Sequence, residues 1–216
     1  DVCDSALMDY LVQFLERQGS GKVHVITHSM GCRPLLRTLQ RIKASHTNSV
    51  LPRSNLKFGQ IVFAAPDVDA KQFLKIADQI FADNELADGI TLYTHSKDNA
   101  LMGSKFYHIY PRVGLRYTYT LSHHFKTIVV DELGYIPFFR AAWHSYHGGD
   151  INRGLGHSYY EEPQVLHDLR YIMVDNNNEF RRENLIEIEN LGEGNRAYLL
   201  KKTRMMDNGL MRLQFD

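Results

Sequence analysis

The sequence has little cysteine, no excess of either charge and no long apolar run. Its two cysteines, Cys3 and Cys32, are too few for the disulfide framework of a small secreted domain, and Cys32 is predicted to be a small buried residue. The 25 basic and 25 acidic side chains give a formal net charge of zero, without a basic block, so nucleic acid is not favoured as a partner. No stretch of eighteen apolar residues occurs, and the sequence predicts no transmembrane helix.

Strand-like and helix-like segments alternate along the 216 residues. The sequence predicts strands near residues 22–27, 60–65, 90–94 and 126–130, and helices near 4–17, 29–44, 70–81 and 163–174. Alternation of this kind predicts an α/β domain with a mostly parallel sheet and flanking helices over residues 1–174. Residues 100–124 show no clear period. Residues 175–216 are predicted to be a polar, loosely attached extension with a short strand at 197–200.

The segment around Ser29 carries the strongest chemical signal. Residues 22–39, KVHVITHSMGCRPLLRTL, pass from an apolar run through a tight turn into a helical pattern, which is the context of a nucleophile elbow. Gly31 provides the small residue that the elbow needs after the serine, whereas Thr27 stands where G-x-S-x-G has its first glycine. The Met30 amide, at a helix N-terminus beside Ser29, is a candidate oxyanion donor.

A serine nucleophile needs a base, and the base needs a carboxylate that orients it. The predicted strands end in polar loops, and the order Ser29…Asp98…His157 is the order found in α/β hydrolases. Asp67 is the alternative acid, although Asp67 and Asp69 could instead cap the next helix. His144 and His147 are rival bases, and Gly156 favours His157 because a flexible approach lets its ring reach the elbow.

The loop at residues 131–156 allows two further interpretations. The spacing of His144, His147 and Asp150 could supply zinc ligands, but no rigid face sets that spacing, so neither a metal nor a cofactor is predicted. The aromatic residues of this loop could line an apolar substrate pocket or simply pack the loop onto the core. They are Tyr135, Phe138, Phe139, Trp143 and Tyr146.

Three motifs carry a resemblance to a known family. They are HSMG at residues 28–31, AAPDVD at 64–69 and GHSYY at 156–160. In these motifs the chain resembles the α/β-hydrolase superfamily, and more narrowly a little-characterised bacterial family of predicted hydrolases, over roughly residues 5–174. The resemblance implies Ser29 as nucleophile, His157 as general base and Asp98 as the acid, but it implies no particular substrate.

The residues and the resemblance together predict a serine hydrolase that acts on a small-molecule carboxylic ester or thioester. The alternative hypothesis is a non-catalytic α/β-hydrolase-like module that binds a partner or a ligand. Thr27 keeps this alternative open, as does the lack of upstream strands, because the loop after one of them normally carries the second oxyanion donor. We therefore expect the chain to be the C-terminal part of a longer hydrolase, poorly soluble and weakly active by itself.

Overall fold

Helices and strands alternate along the chain in the computed structural model. The structure describes residues 2–17, 22–47, 57–83, 85–115, 125–133, 155–175, 184–190, 196–200, 204–205 and 211–212. The helices are α1 (Val2–Arg17), α2 (Cys32–Thr47), α3 (Ala70–Phe81), α4 (Asn99–His108) and α5 (Pro163–Arg170). The strands are β1 (Val25–His28), β2 (Phe58–Ala64), β3 (Ala87–Thr94), β4 (Lys126–Val129), β5 (Leu185–Asn190), β6 (Arg196–Leu200), β7 (Arg204–Met205) and β8 (Met211–Arg212).

Six of these strands form one sheet in the order β1-β2-β3-β4-β6-β5, and β7 pairs separately with β8. Within the larger sheet every neighbouring pair is parallel except β5 with β6. Parallel neighbours require long crossover connections, and α2, α3 and α4 lie in the three connections between β1 and β4. The predicted mostly parallel sheet with flanking helices is confirmed.

The two faces of the sheet carry separate hydrophobic clusters, because successive side chains of a strand point to opposite faces. Ile61 and Phe63 of β2 belong to a cluster that also contains residues of α1, α2 and α3. Val62, between them, belongs to a second cluster with Leu101 of α4 and Val165 of α5. Helices therefore bury apolar surface on both faces of the sheet.

The helix over residues 70–81 was the most accurately predicted element, and it coincides with α3. Its N-cap is Asp69, whose carboxylate accepts a hydrogen bond from the Gln72 amide at 2.8 Å. The capping interpretation of Asp69 is thus confirmed. The predicted helix over 163–174 ends earlier, since α5 gives way to a π-helical turn at Tyr171–Asp175. None of the helices in the described part is long and apolar enough to cross a membrane.

Strand β1 is more exposed than its sequence indicates. The apolar run predicts a buried strand, yet the Ile26 side chain is 50% exposed and none of the four residues of β1 is fully buried. Among the described strands β1 pairs with β2 only, so one of its edges has no neighbouring strand there. The prediction of a buried strand is wrong for β1 for this reason.

Two other segments differ in part from what the sequence indicates. Residues 100–124 show no clear period, yet α4 occupies the first part of them; its apolar side chains lie on both its buried and its exposed side, and this removes the periodicity. The predicted short strand at 197–200 is confirmed as β6, but the tail is not loosely attached, since β5 and β6 join the main sheet and Ala197 and Leu200 are buried. Strand β6 pairs with β4, which is distant in the chain, so no local pattern reveals its neighbour in the sheet.

Gly114 and Gly103 provide a matched test of this packing. A Cβ on Gly114 would lie 2.7 Å from backbone atoms of Ala65 and Pro66 and from the Leu101 side chain, whereas a Cβ on Gly103 in α4 would meet nothing within 4 Å. We expect Gly114→Ala to lower the free energy of unfolding by about 1–3 kcal/mol, because the loop after β2 must move. Gly103→Ala should raise it by about 0.5–1 kcal/mol. Urea unfolding midpoints check both values, and equal stability of Gly114→Ala and the parent would contradict the packing described.

Candidate active site

Ser29 lies at the junction between β1 and α2. The strand ends at His28, a single 3₁₀ turn covers Ser29–Gly31, and α2 begins at Cys32. Ser29 has a φ of 53°, in the left-handed region that costs energy for a residue with a side chain. A Cβ on Gly31 would lie 3.3 Å from the Thr27 hydroxyl. Glycine at position 31 therefore leaves room for the threonine at position 27.

The Ser29 hydroxyl is the first member of a hydrogen-bonded chain of three side chains. His157 Nδ1 lies 2.6 Å from Asp98 Oδ2, and His157 Nε2 lies 2.8 Å from Ser29 Oγ. An ionised carboxylate can only accept hydrogen bonds, so Nδ1 carries the imidazole proton and donates a hydrogen bond to Asp98 Oδ2. Nε2 is then free to accept the hydrogen bond of the Ser29 hydroxyl. This arrangement can activate a serine for nucleophilic attack.

Asp98 is held by the start of α4. Its side chain is completely buried, it is the N-cap of α4, and its Oδ1 accepts a hydrogen bond from the Leu101 amide at 3.0 Å. The next residue, Asn99, donates its backbone N–H to the Leu155 carbonyl at 3.0 Å. This bond joins α4 to the loop before His157, where Gly156 has a φ of 68°. One short segment thus fixes both Asp98 and the approach to His157.

Asp67, the alternative acid, contacts other partners. Its carboxylate accepts a hydrogen bond from Ser104 Oγ at 2.7 Å and lies 3.3 Å from Arg112 Nε and 3.5 Å from the Arg33 guanidinium. Its backbone N–H donates to the Ser29 carbonyl at 3.1 Å. Asp67 therefore links the turn at Ser29 to α2 and α4, and the carboxylate oxygen bonded to His157 is that of Asp98.

His28 is a neighbour of the site for which the sequence predicts no role. Its Nε2 lies 3.2 Å from the His157 carbonyl, and its ring contacts the rings of His157 and Tyr160 at centroid distances of 4.6 and 4.3 Å. Burial, followed by the proximity of His157, lowers the pKa of His28. A neutral His28 can donate from Nε2 to that carbonyl and so support the loop that carries the His157 ring. The position of His28 directly before Ser29 is the feature of the sequence that could have indicated this contact.

The thiol of Cys32 takes no part in this arrangement. Cys32 is fully buried, as predicted, and burial raises the pKa of its thiol to about 12. Only the thiolate is a strong nucleophile. Ser29 is therefore the reactive candidate at the start of α2.

A cleft of about 420 Å³ opens at Ser29. We call it the Ser29 cleft. Its walls come from the turn after β1, the loop after β2, the first turn of α4 and the loop that carries His157. The lining residues are His28, Ser29, Met30, Gly31, Asp67, Ala100, Leu101 and His157.

The rival residues of the long loop lie outside the described residues. This holds for His144, His147 and Asp150 and for the five aromatic residues considered as pocket walls. Within the part of the chain that the structure describes, no group of three or more His, Cys, Asp or Glu side chains could hold a metal ion.

Comparison with known proteins identifies a family. The family model described as "Alpha/beta hydrolase of unknown function (DUF900)" matches residues 2–114, a little more than half of the chain. The matched segment contains Ser29, Asp67 and Asp98, whereas His157 lies beyond it. No curated protein and no solved structure matches the chain.

His95 makes a testable contribution to the stability of this region. Its ring is completely buried; Nε2 donates to the Leu133 carbonyl at 3.0 Å, and Nδ1 accepts from the Lys97 amide at 3.0 Å. Burial lowers the pKa of His95 below its ordinary value of 6.5. Below pH 6.5 the unfolded chain therefore binds a proton that the folded protein excludes, and protonation favours unfolding.

We expect the free energy of unfolding to fall as the pH drops below 6.5, and to fall less steeply in His95→Gln. Urea midpoints of the two proteins, measured at several pH values on both sides of 6.5, check this expectation. His24 and His28 also have lowered pKa values but are present in both proteins, so they leave the comparison unchanged. Parallel curves would show that His95 does not contribute.

Proposed function

We propose that this chain, which belongs to the alpha/beta hydrolase family of unknown function (DUF900), is a serine hydrolase that cleaves a carboxylic ester or thioester. The observation that carries the proposal is the unbroken chain of hydrogen bonds from Ser29 Oγ through His157 to Asp98. The three residues come from three separate loops, and the 2.8 Å between Ser29 Oγ and His157 Nε2 is short enough for proton transfer.

In the proposed mechanism, Ser29 Oγ attacks the substrate carbonyl carbon while its proton passes to His157 Nε2. Asp98 stabilises the imidazolium that forms, since its carboxylate already accepts the Nδ1 proton. The Met30 amide would donate to the oxyanion of the tetrahedral intermediate. His157 then protonates the departing alcohol or thiol, which leaves an acyl group on Ser29.

The second half of the reaction repeats these roles with water. His157 takes a proton from a water molecule, the resulting hydroxide attacks the acyl carbon, and Ser29 recovers its proton from His157 as the acid product leaves. Every proton is accounted for by Ser29, His157, water and the two products. The proposed steps require no cofactor.

Asp98 is the proposed acid because of the partners of the two carboxylates. Asp98 has one oxygen on His157 and the other on the Leu101 amide. Asp67 instead faces two arginines and Ser104. The positive charge of the arginines compensates the buried negative charge of Asp67. This pairing suits a residue that joins the elements around the cleft.

Labelling with a fluorophosphonate, which reacts only with an activated serine, tests the proposal on the full-length protein. We expect the label on the peptide containing Ser29, no label in Ser29→Ala, and very slow labelling in His157→Ala. Asp98→Asn should slow labelling on the order of 10³- to 10⁴-fold, because His157 would be held in the wrong tautomer. Mass spectrometry of the labelled peptides and the labelling rates provide the measurement.

Asp67→Asn is the matched control, since it removes the same charge from the other carboxylate of the cleft and keeps the backbone N–H that bonds to Ser29. We expect it to slow labelling much less than Asp98→Asn does. A larger effect at Asp67 would identify Asp67 as the acid. Absence of label from the folded protein would reject the hydrolase and favour the non-catalytic binding module.

A further inference from the structure

The second half of α4 and the residues after it expose an unusual amount of apolar surface. The exposed fractions are 50% for Met102, 92% for Phe106, 84% for Tyr107, 85% for Ile109 and 62% for Tyr110. We call these five residues the α4 patch. Other large apolar side chains exposed in the described part of the chain are spread over several elements. A concentration of this kind on one element indicates a contact site.

The opposite side of α4 is already in use by the fold. Leu101 is buried, and Ser104 donates its hydroxyl hydrogen bond to Asp67. Apolar side chains therefore lie on the outer side of the helix as well as on its inner side. Large apolar side chains that are exposed together on one side of a helix mark an interaction site.

The outer side of α4 also borders an apolar cavity of about 660 Å³. Four of its lining residues follow the helical spacing of three and four positions, so they share one side of α4 and its C-terminal end. Its size lies within the range of small-molecule pockets and suits a flexible hydrocarbon chain. Among the described residues, the cavity is lined by Ser96, Met102, Lys105, Phe106, Ile109 and Leu115.

Lys105 is the charged side chain among the described residues of the patch and its cavity. Two carboxylates lie near α4, but each already has partners: Asp131 accepts hydrogen bonds from Ser96, and Asp67 pairs with the buried Arg112. Lys105 lies on the cavity wall, and the ion pairs among the described residues do not include it. Tyr107, Tyr110 and Lys105 lie beside the exposed apolar side chains. Tyrosine and lysine in such a position are typical of protein surfaces that bind the head-group region of an anionic lipid layer.

The same helix reaches the Ser29 cleft with its first turn. Asp98 caps α4, and Ala100 and Leu101 line the Ser29 cleft, whereas the α4 patch begins at Met102. A lipid layer in contact with the patch would therefore lie one helical turn from the lining of the cleft.

We propose that the α4 patch binds an anionic lipid surface, with one acyl chain in the cavity beside Lys105. The substrate class that follows is an ester of a long-chain amphiphile, and only this second part rests on the proposed function. Phe106 and Ile109 supply apolar contact with the acyl chains, and Lys105 supplies attraction to the anionic head groups.

Co-sedimentation with vesicles of phosphatidylcholine, with and without phosphatidylglycerol, tests the surface. The full-length Ser29→Ala protein is used, so that no hydrolysis alters the lipid. We expect it to bind the anionic vesicles, and the added double substitution Phe106→Ser and Ile109→Ser to weaken binding at least about tenfold. Lys105→Gln should weaken binding about fivefold, and only to vesicles that contain phosphatidylglycerol.

Leu166→Ser is the control, because Leu166 of α5 is 51% exposed and lies outside the patch. It should bind vesicles as Ser29→Ala does. Equal binding by the patch variant and its parent would overturn the proposal. A second result would also overturn it: Ser29→Ala does not bind vesicles, and it self-associates in light scattering only while Phe106 and Ile109 are intact. The patch would then join two copies of the chain.

The two proposals fail separately. Vesicle binding needs no activated serine, and fluorophosphonate labelling of Ser29 needs no lipid. Patch-dependent binding without labelling would leave the lipid surface standing and reject the hydrolase. Labelling without vesicle binding would do the reverse.

Discussion

The buried carboxylate of Asp98 is the constraint on which the candidate site depends. A carboxylate removed from water is costly unless hydrogen bonds compensate it, and each oxygen of Asp98 has one donor in a different element. Oδ1 accepts from the Leu101 amide and so fixes the start of α4, while Oδ2 accepts from His157 and fixes the imidazole. The direction of α4 and the position of the His157 imidazole are therefore set by the same group.

Asp67 has the corresponding role on the other side of the cleft. Its backbone holds the Ser29 carbonyl, and its carboxylate joins Arg33 in α2, Ser104 in α4 and Arg112 in the segment after α4. Two carboxylates thus bind α4 at two points, one at its cap and one at its side. The strained turn at Ser29 is supported in this way by neighbours that over-determine it, as strained functional residues require.

The sequence predicted most of what depends on local pattern. Buried strands flanked by amphipathic helices indicated the parallel sheet, and the order Ser29, Asp98, His157 indicated three residues that the fold brings together. It favoured Asp98 as the acid and kept Asp67 as the alternative, because both follow strands at the same edge of the sheet and the arginines that pair with Asp67 come from elements apart from it. It also missed β5, whose Ile186 and Ile188 are on average two-fifths exposed, so that their alternation does not mark a buried face.

The sequence did not predict α4, the helix that packs on the fold with one side and exposes apolar side chains on the other. A sequence specifies a fold most clearly when pattern, capping and burial agree, and natural proteins break that agreement chiefly at functional sites. At the start and on the inner side of α4, pattern, capping and burial agree, since Asp98 caps the helix and Leu101 is buried. On the outer side this agreement is lost, because the apolar side chains of Phe106 and Ile109 are almost fully exposed to solvent. The break begins within one turn of the residues that line the Ser29 cleft, which is the placement that the proposed lipid contact of the α4 patch requires.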